Sequence, residues 1–105
     1  MIRPEINYLI DRAVYDEQHY IVTEKPQYHN DHEAYAVLLE EVEEVKTELE
    51  EIVYRLRLAW NKIKEDEPPC KEVASIKRYA KRLAAEAVQA AAVSEKFFLR
   101  KGEEE

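Results

Sequence analysis

The sequence predicts an all-α fold: a helical bundle with a long central helix and a core completed by homodimerisation. Three observations carry this. Glycine is almost absent, Gly102 being the only one among 105 residues. Apolar residues recur at three- and four-residue spacings over two long stretches, with no alternation of the strand kind. A chain of this length makes one domain, 1–105, whose core is modest until a second copy adds to it.

The first helix is expected over about 4–20. Pro4 suits a first helical position, and Ile6, Leu9, Ile10, Ala13 and Val14 share one face. A connector holding Pro26 leads to Asn30 and Glu33, spaced as cap and third residue of a capping box. The central helix follows over about 31–65. Its positions Tyr35, Leu38, Val42, Val45, Leu49, Ile52, Leu56, Ala59 and Ile63 form a heptad seam. Pro68 and Pro69 end it. The third helix, about 70–99, carries Ile76, Ala80, Leu83, Ala87, Ala90, Ser94 and Phe97 at the same spacing, and 102–105 form an acidic tail.

A net charge of -7, with 37% charged residues, argues against nucleic acid and anionic membrane surfaces as partners and favours cations. No apolar run approaches the roughly 20 residues that span a bilayer, and no secretory apolar segment is evident, so a cytoplasmic protein is expected. The single Cys70 forms no internal disulfide, and no Cys/His cluster has zinc spacing. Without glycine loops, any phosphate must be held another way.

Candidate chemistry starts at Glu86. From Leu83 to Val93 only Glu86 and Gln89 interrupt an apolar stretch, which predicts a buried helix and a carboxylate in need of a cation. That cation is either an Arg or Lys from a neighbouring helix or a metal ion shared with other carboxylates. With Val42 at heptad position a, Glu41 and Glu44 flank the seam, Glu48 extends their stripe, and Glu40 and Glu43 point outward. With Ala87 at a, Glu86 and Gln89 take the equivalent places. Three carboxylates and an amide oxygen on rigid helices suit Mg²⁺ or Mn²⁺. His29 and His32 stand at the start of the long helix, where local capping is the expected role; His19 carries no signal.

These residues resemble the MazG-like all-α NTP pyrophosphatases, especially the short phage and prophage forms. The family signature is a Glu-x-x-Glu pair on one helix and a Glu-x-x-Asp pair on a later one. Glu41-x-x-Glu44 matches the first and Glu86-x-x-Gln89 the second, with Gln89 where the family has aspartate. Residues 36–45 look like the first metal helix, 83–93 like the alanine-rich second, and Ile10 through Gln18 like the N-terminal segment. The resemblance implies hydrolysis of a nucleoside triphosphate to monophosphate and pyrophosphate in a dimer or tetramer, with Glu41, Glu44 and Glu86 as catalytic metal ligands beside Gln89. Arg82 and Lys96 are then candidates for phosphate contacts and Trp60 for base stacking. The alternative is a catalytically inactive helical adaptor of phage or prophage origin, with Glu86 neutralised by an arginine.

Overall fold

The computed structural model describes the backbone of residues 1–104 and the side chains of residues 1–99. It consists of α1 (Pro4–Glu24), α2 (Asp31–Lys64) and α3 (Cys70–Glu104), with no strand among the described residues. The expected acidic tail, 102–105, lies outside the described side chains. The expected long helix is one of two, since α2 has 34 residues and α3 has 35.

Local chemistry explains the boundaries. Pro4 opens α1, which runs one turn past its expected end because Ile21, near its C-terminus, is buried while Leu9, Ile10 and Ala13 stay exposed. Packing therefore holds the last turns of α1 rather than the first. At the start of α2 the Asn30 Oδ1 accepts the Glu33 N–H at 2.9 Å, and the Glu33 carboxylate reaches back to the His29 N–H at 3.3 Å. This is a capping box displaced by one residue. The end of α2 is a Schellman motif: Glu67 N–H donates to Lys62 O, Asp66 N–H donates to Ile63 O, and Asp66 has φ 56°. Asp66 occupies a left-handed position that glycine takes without strain, and its charge opposes the helix dipole. Asp66→Gly is therefore expected to stabilise the protein by about 0.5–1 kcal/mol, read as a rise in Tm; an unchanged or lowered Tm would show that Asp66 makes a compensating contact.

The chain divides into two units, one of Met1–Val42 with Ala87–Glu105 and the other of Glu43–Glu86. In the first, Ile21, Ala92 and Val93 form a small core with Val37 and Leu38 packed on it. The second is a helical hairpin in which Ala59 is the one buried apolar residue among those described.

Both long helices are rotated relative to the expected seams. The covered positions of α2 include 34, 38, 41, 45, 48, 52, 55 and 59, and those of α3 include 72, 76, 79, 83, 86, 90, 93 and 97. About half of each expected seam is covered, but Tyr35, Val42, Leu49, Leu56 and Ile63 on α2 and Ala80, Ala87 and Ser94 on α3 are exposed. The rotation brings polar partners together inside the hairpin. Arg55 donates to Glu51 at 2.8 Å and lies 4.7 Å from the Tyr79 ring centre, while Arg82 pairs with Glu48 at 3.4 Å. Residues 83–93 are likewise not buried all round: Ala84, Ala85, Ala87 and Ala91 are exposed and Glu86 is half-buried. A helix in a two-helix hairpin has only one covered face, so an apolar circumference does not by itself bury it.

Candidate metal centre

Within the hairpin unit, α2 supplies Glu44 and Glu48, and α3 supplies Arg82 and Glu86. The carboxyls of Glu44 and Glu86 lie within hydrogen-bonding reach of each other. The Glu86 pKa is raised above the usual 4.5 by the Glu44 hydrogen bond first, then by burial and by the negative charges of Glu44 and Glu48, with Arg82 opposing. Arg82 is engaged with Glu48 and stands 5.4 Å from the Tyr79 ring centre, one turn before Glu86.

In the other unit, Glu41 and Gln89 line a cavity of about 270 Å³ together with Tyr28, Glu33 and Lys96. Lys96 is only 4% exposed. Its ammonium donates to the Pro26 carbonyl at 2.7 Å and sits 4.3 Å from the Tyr28 ring centre. Burial pushes its pKa down, partly offset by Glu33. The Tyr28 hydroxyl is pushed up by burial, then by Glu41 and Glu33. The cavity thus combines a buried cation with acidic and amide oxygens.

Along each helix the sequence pairs behave as their spacing requires. Glu41 and Glu44 are three residues apart on the unbroken α2, as are Glu86 and Gln89 on α3, so each pair occupies one flank within one turn. Across the helices, Glu44 faces Glu86 in one unit, and Glu41 and Gln89 line one cavity in the other.

The remaining candidates divide. Lys96 belongs to the Glu41–Gln89 cavity, whereas Trp60 follows Glu44 by 16 residues of helix, about 24 Å. Trp60 is exposed and capped by the Lys64 ammonium, so a base held at Glu44 and Glu86 is beyond its reach in the same chain. The His29 ring bonds the Glu33 carboxylate at 2.8 Å, side chain to side chain, while the backbone cap at this helix start is Asn30. Sequence reasoning missed Tyr28, Glu33 as a cavity wall, and the Pro26 carbonyl. An aromatic residue inside an otherwise polar connector was the available signal for Tyr28.

Comparison of the chain with protein-family models, curated proteins and solved structures finds no match. No helix among the described residues is long and apolar enough to cross a membrane.

Proposed function

We propose that the protein is a divalent-metal-dependent nucleoside triphosphate pyrophosphohydrolase, working in the cytoplasm as a homo-oligomer of two or four chains. The observation that carries this reading is the Glu44–Glu86 carboxyl pair, two neighbouring acids that raise the Glu86 pKa and whose like charges a bound cation would offset. Its donor set supports the same reading: Glu41, Glu44, Glu86 and Gln89 offer only hard oxygen ligands, which fit Mg²⁺ or Mn²⁺ and not a thiophilic metal. The resemblance of Glu41-x-x-Glu44 and Glu86-x-x-Gln89 to the MazG-like signature supplies the reaction class.

Such an ion, when bound, supplies charge neutralisation at phosphate oxygens and a more acidic water. The chain's own residues do the rest. Glu41, Glu44 and Glu86 would hold the ion through carboxylate oxygens and Gln89 through a neutral amide oxygen, while Lys96 brings positive charge to the wall of the cavity that Glu41 and Gln89 line. Arg82, already paired with Glu48, reaches a phosphate only by exchanging that partner.

Pyrophosphate release from a panel of ribo- and deoxyribonucleoside triphosphates with Mg²⁺ or Mn²⁺ tests the proposal, with Glu41→Gln as control. Release lost in the variant is expected. One observation favours the adaptor reading: Arg82 already offsets part of the negative charge around Glu86. An adaptor would release no pyrophosphate and bind no divalent ion in calorimetry.

A further inference from the structure

On a flank of α2 about 100° around the helix from its covered seam, Lys46, Leu49, Val53, Leu56, Trp60 and Ile63 are all exposed, and they alternate in spacing by three and four. The pattern continues back through Val42 and Leu39. Leu49, Leu56 and Trp60 retain 49%, 60% and 57% exposure, on a helix whose covered seam holds Glu41, Glu48 and Arg55. A period of 3.5 residues kept over this length is what a helix shows to another helix coiled along it. Apolar patches of this extent on a small chain mark interaction surfaces.

We propose that this second seam is the contact between two copies of the chain, with their α2 helices paired antiparallel about a two-fold axis near Val53 and Tyr54. The flanking charges decide the occupant. The residues that follow Val42, Leu49, Leu56 and Ile63 are Glu43, Glu50, Arg57 and Lys64, two acids and then two bases. In a parallel pair these charges face the apolar Leu38, Val45, Ile52 and Ala59 of the other helix and gain nothing. In an antiparallel pair they face one another: Glu50 meets the partner's Arg57 and Glu43 meets the partner's Lys64, each twice by symmetry. The same register sets Val53 beside the partner's Leu56 and Leu49 beside the partner's Trp60. A groove of about 390 Å³ lined by Lys46, Leu49, Glu50, Val53, Tyr54 and Arg57 is placed to receive that indole. Lys46 reaches solvent at the edge while its stem covers apolar surface. The inference rests on α2 alone and does not depend on metal binding or catalysis.

Sedimentation equilibrium of the full chain tests it, with helicity by circular dichroism checking that each variant folds. The wild type is expected to run as a dimer, and Leu49→Glu, which would bury a carboxylate, to weaken association at least about a hundredfold. Arg57→Glu and Glu50→Arg are each expected to weaken it by about tenfold through like-charge contacts. An equimolar mixture of those two variants should recover wild-type affinity, because each then faces the opposite charge. Trp60, the one tryptophan, should shift its emission to the red as the dimer dissociates. A wild type that stays monomeric, or a dimer indifferent to Leu49→Glu, overturns the interface. Failure of the mixture to recover overturns the antiparallel pairing.

Discussion

Glu86→Gln is expected to lower divalent-ion affinity and pyrophosphate release by about a hundredfold or more, beyond what is typical when an outer-shell partner of a metal site is removed. The same change should stabilise the metal-free protein at neutral pH. The sign follows from proton binding. Folded, Glu86 keeps its proton above 4.5, where the unfolded chain has released it, so the native state binds more protons in that window. Its contribution to stability is fully present below 4.5 and is lost as pH rises through the raised folded value. Glutamine keeps a donor toward Glu44 and carries no proton to lose. Melts of the two proteins in chelator should therefore converge near pH 4.5 and separate toward neutrality, with the variant higher. If Arg82 is instead the partner that neutralises Glu86, the variant leaves Arg82 with less compensation and melts lower at neutral pH. That result, with pyrophosphate release unchanged, would remove the metal reading and leave the adaptor.

The helices were legible because their signals are local. Pro4, the Asn30–Glu33 box and the Pro68–Pro69 pair each act within a turn, and each lies where its chemistry predicts. The rotation of the helices was not legible. Val42 and Leu49 satisfy a heptad as well as Glu41 and Glu48 do, and hydrophobicity prefers the former. Inside the single chain the covered places go to residues with partners across the hairpin: Glu48 with Arg82, Arg55 with Tyr79, Glu86 with Glu44. Pairings of that kind depend on which helix lies opposite, and no spacing rule along one helix contains them. The expected seam was thus a superposition of two, one facing α3 and one facing outward. For the candidate site, the i,i+3 pairs were readable from spacing, as was their placement on one flank. The Lys96 cavity was not, because it needs Tyr28 and Pro26 from a connector whose path no periodicity describes.

Lys96→Ala is expected to cost about 2–4 kcal/mol, and so to lower Tm by about 10–20 °C in a domain of this size. Three losses coincide. The Pro26 carbonyl loses its 2.7 Å donor, the Tyr28 ring loses the cation 4.3 Å from its centre, and the vacated stem leaves a gap in a chain with few buried side chains. Lys96→Met restores the stem and removes the charge whose burial is unfavourable, so it should recover part of the loss and separate packing from hydrogen bonding. The pH dependence identifies the charge. Burial holds the folded Lys96 pKa below 10.5, so just below that pH the unfolded chain binds more protons and wild-type stability rises with pH. Tyr28, raised above 10.0, keeps its proton longer when folded and works in the opposite direction above that value. Below pH 10 the rise belongs to Lys96, with Glu33 reducing its size, and both variants should lack it. A wild type whose stability is flat over that interval would mean that the ammonium is solvated rather than enclosed. With Lys96→Met folded, the enzymatic reading makes a separate demand: KM for the nucleotide rises if the ammonium touches phosphate and stays fixed if Lys96 only ties α3 to the connector. Only the stability measurements bear on the cavity itself, so the two roles of Lys96 can fail independently.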